Sequence, residues 1–133
     1  MFDRGDADLR ALTRDLAEAR FRPAAAAIDA EERYPWEHVA ALAEAGLMGM
    51  TIPEAYGGRG APLAEAVACV EEAARVCGVT GRILVEANMG ALGAIMAYGS
   101  EAQKRRAADL VLAGDKPAIC ITEPEAGSAA TEM

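Results

Sequence analysis

The run Ala118-Ile119-Cys120-Ile121-Thr122-Glu123-Pro124-Glu125-Ala126-Gly127-Ser128 holds the side chains best placed to do chemistry. It begins apolar and β-prone and ends in a polar turn, the pattern of a buried strand that delivers its C-terminal end to a ligand. The last amides of such a strand point out of the sheet as fixed donors, and the Thr122 hydroxyl adds one that rotates to suit. Pro124 stiffens the turn, and Gly127 lets backbone approach a bound molecule closely. On residue types alone, Thr122 and Ser128 read first as caps of that turn. Arg82 is the second residue of interest. It enters an apolar helical stretch with Val79 before it and Ile83-Leu84-Val85 after it, and by itself it fits a solvent-facing arginine at a helix start.

Other constellations point away from chemistry. Cys69, Cys77 and Cys120 have no metal-ligand spacing and His38 is the single histidine, so no metal site is expected and the thiols read as reduced core residues. His38 has no Ser or Cys nucleophile at a useful spacing and reads as structural or exposed. Met48, Met50, Met89 and Met96 read as core filler. Glu71-Glu72 reads as a solvated helix face with no second acid opposite. The loop Tyr56-Gly57-Gly58-Arg59-Gly60 lacks the lysine and the strand–loop–helix context of a phosphate cradle. A net charge of −8, with arginines scattered among acids, argues against a nucleic-acid partner. No apolar run reaches the roughly 18 residues of a membrane span. The stretch Met1-Phe2-Asp3-Arg4-Gly5-Asp6 is too polar for a signal peptide, which makes the cytoplasm the default location.

The elements that must position these residues are helical almost throughout. Leu9, Leu12 and Leu16 give helical spacing over residues 7–20, Pro23 interrupts or restarts the pattern, and residues 24–32 continue it. A helix from Pro35 or Trp36 to Ala45 stops at Gly46, and residues 47–53 read as a short extended link. Pro62 opens a helix to Cys77 with Leu63, Val67, Val70, Ala74 and Cys77 as its buried face. Residues 78–81 read as a break, and one helix is expected over 82–97. Ser100 and Gln103 have capping-box spacing for a last helix that ends near Ala113. The expectation is an all-α bundle of five to six helices, orthogonal or up-down, over residues 1–115. Residues 116–133 would form the first strand of a second unit. A lone strand leaves its backbone groups unpaired.

The order Tyr98-Gly99-Ser100-Glu101-Ala102-Gln103-Lys104, helix, Gly114-Asp115-Lys116-Pro117, strand, Thr122-Glu123-Pro124-Glu125-Ala126-Gly127-Ser128 closely resembles the acyl-CoA dehydrogenase family of flavoproteins. The loop Pro53-Glu54-Ala55-Tyr56-Gly57-Gly58-Arg59-Gly60 is similar to a linker of that family's N-terminal helical domain. The resemblance implies bound FAD, with Ile119, Ile121, Thr122, Gly127 and Ser128 among the residues that line it. Thr122 would bond the N5/O4 edge, and Ser128 would also touch the CoA thioester. It implies α,β-oxidation of an acyl-CoA, electron-transfer flavoprotein as redox partner, and assembly as a homotetramer or dimer. No catalytic residue is expected in this chain, because the family's base would lie beyond Met133. The resemblance covers the whole chain but only about a third of a typical member, as an N-terminal fragment would.

In that family the helix after Arg82 lines the floor of the acyl pocket. An arginine there implies a short acyl chain ending in an anion, gripped bidentately. Within the family, Tyr34-Pro35-Trp36, Gly81-Arg82-Ile83, Asp115-Lys116-Pro117 and Gly127-Ser128-Ala129-Ala130 are similar to the branch that removes sulfite from 3-sulfinopropanoyl-CoA. Ala129 stands where most members carry an aspartate. A non-catalytic helical oligomerisation module and an independent helical binding protein, with the motif match a coincidence, are the other readings of the residues.

Overall fold

The computed structural model describes residues 8–129 and 131. Helix α1 (Leu9–Leu16) opens at Asp8, whose carboxylate accepts the Ala11 N–H at 3.0 Å. It runs through a π-helical turn, Ala17–Phe21, into α2 (Arg22–Ala30). The buried residues Leu9, Thr13, Ala17 and Phe21 recur every four positions. In a helix of 3.6 residues per turn that spacing drifts by about 40° per step, and the wider π turn takes up the drift. Pro23 falls in the first turn of α2, so the rod continues past it instead of breaking.

Helix α3 (Trp36–Glu44) ends at Gly46, where the Arg59 guanidinium donates to the Ala45 and Gly46 carbonyls at 3.0 and 2.9 Å. The glycine-rich loop is therefore a clasp on the end of α3. Its backbone crosses Ile52 so closely that a Cβ on Gly58 would lie 2.0 Å from the Ile52 carbonyl oxygen.

Residues 47–52 are turns, not the extended link expected, and they bury Leu47, Met48, Met50 and Ile52. Such a buried irregular segment needs its polar backbone satisfied. Asn88 does much of this. Its Nδ2 donates to the Leu47 carbonyl at 3.0 Å, its Oδ1 accepts the Thr51 N–H at 3.3 Å, and its own carbonyl accepts the Thr51 hydroxyl at 2.7 Å.

Helices α4 (Leu63–Ala74), α5 (Gly78–Asn88), α6 (Ala91–Tyr98) and α7 (Glu101–Leu112) complete the bundle. Helix α4 packs on α1 and α5, α6 on α5 and α7, and α3 on α5. Three expectations change. The buried face of α4 is Ala66, Cys69, Glu72 and Ala73, while Leu63 and Val67 are 61% and 51% exposed. Small side chains permit the close approach, so the helix is turned away from its larger apolar residues. The break expected at Gly78–Gly81 lies earlier, at 75–77, and Gly78 already begins α5. The single helix expected over 82–97 is split at Gly90, whose φ of +54° and ψ of −121° no helix allows. The capping box at Ser100 and Gln103 is present in both directions.

The all-α bundle is thus observed, with seven α-helical segments among the described residues, α1 and α2 forming one rod. No strand forms among the described residues. Residues 115–122 carry neither helix nor ladder, since nothing there offers a strand edge to pair with.

Candidate functional site

Helix α7 closes with the Gly114 N–H donating to Val111 and the Asp115 N–H to Leu110, at 3.0 Å each. Lys116 then sits over the ring of Tyr34, and Ile119 reaches Gly90 at the α5–α6 junction. Its Cδ1 lies 3.0 Å from where a Cβ on that glycine would be. Glu86 Oε2 lies 3.9 Å from the same point, and Glu86 pairs through its other oxygen with Arg82 one turn earlier on α5. The fold therefore brings Arg82, Glu86, Gly90 and Ile119 into one neighbourhood. Sequence reading singled out the first and last of these and missed Glu86, although its i, i+4 spacing from Arg82 was the available signal.

Arg82 is 72% exposed, held only at the helix surface. Glu86 Oε2 is buried and has no hydrogen-bond partner among the described residues. A guanidinium so placed can turn to an anion with two paired oxygens, since its fork matches a carboxylate or sulfinate better than an ammonium would.

Beyond Ile119 the segment is open. Ile119, Ile121, Thr122, Gly127 and Ser128 are all exposed, and a Cβ on Gly127 would meet nothing within 4 Å. Glu123 and Ala126 exchange backbone hydrogen bonds of 3.0 and 3.2 Å, closing a turn with Pro124 at its first central position. The turn is anchored by Ala126, which is buried. It holds Thr122 and Ser128 on either flank, with both hydroxyls free of other hydrogen-bond duties among the described residues. No hydrogen bond or ion pair among the described residues links Arg82 to Thr122 or Ser128. The exposure of Cys120 departs from the core thiol expected of it, whereas Cys69 and Cys77 are buried and free.

A separate groove of about 570 Å³ lies between α6, α7 and the chain after α7, lined by apolar residues such as Ile95, Tyr98, Ala107 and Leu110. None of the candidate residues lines it.

Two titratable groups proved structural. Glu72, expected on a solvated face, is 5% exposed and bridges α4 to α1 through Arg10 and Arg14 at 2.8 and 2.9 Å, with Arg75 at 2.9 Å on its own helix. Hydrogen bonds from Arg14 and then Arg10 hold its carboxyl down at about 2. His38 is buried, its Nδ1 2.7 Å from the Thr80 hydroxyl and its ring 4.5 Å from that of Phe21. Burial lowers its pKa. Among the described residues there is no group of three or more His, Cys, Asp or Glu able to hold a metal, and no helix long and apolar enough to cross a membrane.

Residues 5–115 match the family model described as "Acyl-CoA dehydrogenase, N-terminal domain". The chain belongs to the acyl-CoA dehydrogenase family. Its helical bundle is that family's N-terminal helical domain. Among acyl-CoA dehydrogenase relatives, the 3-sulfinopropanoyl-CoA desulfinase of Variovorax paradoxus is 59% identical over 126 residues, covering 95% of this chain and 32% of that protein. The 3-sulfinopropanoyl-CoA desulfinase of Paraburkholderia xenovorans (strain LB400) is 58% identical over 135 residues, covering 100% and 35%. The short-chain specific acyl-CoA dehydrogenase of Clostridium acetobutylicum is 36% identical over 121 residues, covering 90% and 32%. The chain thus spans about a third of the length of the curated relatives it matches.

Proposed function

We propose that this chain is the N-terminal helical part of an FAD-containing enzyme that acts on a short acyl-CoA with an anionic tail, and that the reaction is release of sulfite from 3-sulfinopropanoyl-CoA. The observation that carries the reading is Arg82, exposed on α5 and balanced by Glu86 beside the residue Ile119 that begins the flavin-lining run. The higher identity to proteins named desulfinases than to one named a dehydrogenase supports the choice of reaction.

The residues fit a flavin in kind. Thr122 and Ser128 are exposed hydroxyls flanking a locked turn, and Gly127 leaves open space beside them. Thr122 would donate to the polar edge of the isoalloxazine, Ile119 and Ile121 would pack against it, and Ser128 would also bind the CoA portion of the substrate. When bound, FAD supplies a hydride acceptor in the oxidising members of such a family. Arg82 would orient the sulfinate by a bidentate grip, which fixes the direction in which the carbon–sulfur bond breaks. Water supplies the third oxygen of the released sulfite and the proton that the carbon takes in place of sulfur. Residues 116–133 would enter a β domain that completes the site, residues 1–115 being the helical domain, and the family base, where one exists, would lie outside this chain.

A second reading is α,β-dehydrogenation of a short acyl-CoA, with electron-transfer flavoprotein as acceptor. It is favoured by the matches to proteins named short-chain dehydrogenases. In either case we place the enzyme in the cytoplasm as a homotetramer or dimer, with the exposed Leu63 and Val67 of α4 available for contacts between copies.

A chimera tests this. This chain would replace the matching third of the Variovorax paradoxus desulfinase, with and without Arg82→Gln. Retained flavin absorbance, sulfite release by the parent chimera and at least a hundredfold loss in R82Q at equal flavin content are expected, the size following from removal of a charge-assisted pair worth about 3 kcal/mol. A flavin-free chimera, or R82Q as active as its parent, would sink the reading. Reduction of electron-transfer flavoprotein without sulfite release would select the second.

A further inference from the structure

Two short runs that carry part of the resemblance to the sulfite-releasing branch, Tyr34-Pro35-Trp36 and Asp115-Lys116-Pro117, meet in space. Lys116 Nζ stands 4.2 Å from the centroid of the Tyr34 ring and 5.7 Å from that of Trp36. The two rings pack edge to face with centroids 4.6 Å apart, so they form one aromatic platform. An ammonium over such a platform is drawn to the negative faces of the rings. From the other side, Lys116 is tied to the end of α7. Its N–H donates to Asp115 Oδ1 at 2.8 Å, and Asp115 is itself bonded to Leu110. Gly114 lies against Val39 and Ala43 of α3, with 3.5 and 3.7 Å from its would-be Cβ.

After Lys116 this support stops. No backbone hydrogen bond among the described residues fixes residues 117–122, and the next one joins Glu123 to Ala126 within the turn itself. The course of the segment between α7 and the turn is therefore set by side chains. Lys116 on the aromatic platform fixes where it leaves the bundle, Pro117 restricts its first step, and Ile119 on Gly90 fixes where it passes the α5–α6 junction.

We propose that Lys116 is a positioning residue. Its cation, seated on Tyr34 and Trp36, sets the direction in which the Thr122–Ser128 edge is presented. The consequence for cofactor binding rests on the flavin reading above, whereas the seating of the segment does not.

The chain carries its own reporters. Trp36 is the single tryptophan, and Cys120 is exposed within the segment while Cys69 and Cys77 are buried. In the full chain, Lys116→Met removes the charge at similar length and Lys116→Arg keeps a cation. A nitroxide on Cys120 is expected to show a mobile population about 3- to 10-fold larger in K116M, the scale of a partly desolvated cation–π contact. A changed Trp36 emission would accompany it, and both would return to parent values in K116R. Parent-like spectra in K116M, or no rescue by K116R, overturn the proposal.

FAD titration of the same substitutions, made in the Variovorax paradoxus desulfinase chimera described above, separates the two readings. Uptake by the parent that weakens in K116M and recovers in K116R supports both. Equal uptake by parent and K116M overturns the positioning role. A parent that takes up no FAD, while K116M still frees the nitroxide, overturns the flavin reading and leaves the seating of the segment supported.

Discussion

Ile119 rests on Gly90, its Cδ1 3.0 Å from the position a β-carbon would occupy there. This contact joins the chain after α7 to the α5–α6 junction, so a change at either end is felt at the other. Gly90→Ala would both force that contact and place a side chain at φ +54°. We expect a loss of about 1–3 kcal/mol in urea unfolding. Adding Ile119→Ala should return the part due to the clash and leave the part due to backbone strain. Strictly additive effects in this double-mutant cycle would mean the two residues do not touch in solution.

Glu72 makes stability depend on acid. Its folded-state pKa is held at about 2, below the ordinary 4.5, so its stabilising contribution is complete above 4.5 and is lost as pH falls toward 2. The urea midpoint should decline across that window. Glu72→Gln should lower the midpoint at neutral pH and flatten the decline, because Arg10, Arg14 and Arg75 lose their shared partner at every pH. A variant that keeps the parent's slope would show that other carboxylates set it.

His38 acts through a neighbouring window with the same sign. Burial lowers its folded-state pKa below 6.5, so the unfolded chain takes up a proton that the folded chain refuses. Stability is fully retained above 6.5 and falls as pH drops below it. His38→Gln should weaken the fold at neutral pH yet remove the change that sets in as pH falls below 6.5, as read by thermal unfolding. An unchanged pH profile would place the proton uptake elsewhere.

Asn88 should be the most costly polar side chain to remove from α5. Asn88→Ala leaves the Thr51 N–H and the Leu47 carbonyl without their partner in a buried turn. With about 1–3 kcal/mol per orphaned group, a loss of at least about 2 kcal/mol in chemical denaturation is expected. A loss below about 0.5 kcal/mol would mean that water reaches both groups.

Much of this fold is written locally. The capping box at Ser100 and Gln103, the stop at Gly46 and the helical spacing of Leu9, Leu12 and Leu16 each depend on neighbours in the chain, and each is found as expected. What escaped depends on partners far away. Glu72 looks solvated until Arg10 and Arg14 arrive from α1, more than fifty positions earlier. Val67 looks buried until the small residues Ala66, Cys69 and Ala73 are chosen as the packing face. The split at Gly90 follows from a backbone angle that a lone glycine permits but does not announce. At the candidate site, the turn between Thr122 and Ser128 was legible from Pro124 and Gly127, whereas the Lys116 platform was not, because nothing in either tripeptide names the other.

The π turn at Ala17–Phe21 has a consequence for how this rod tolerates insertions and deletions. The turn holds one residue more than an α-helix would use for the same rotation. Deleting one residue inside it would let an ordinary helix form with later positions in nearly the same phase. Deleting one from the first turn of α2 would instead rotate every later position by about 100°. Ile28, now facing inward, would turn aside. The wider turn absorbs the surplus residue and works as a vernier that keeps the two halves of the first helix facing the same neighbours.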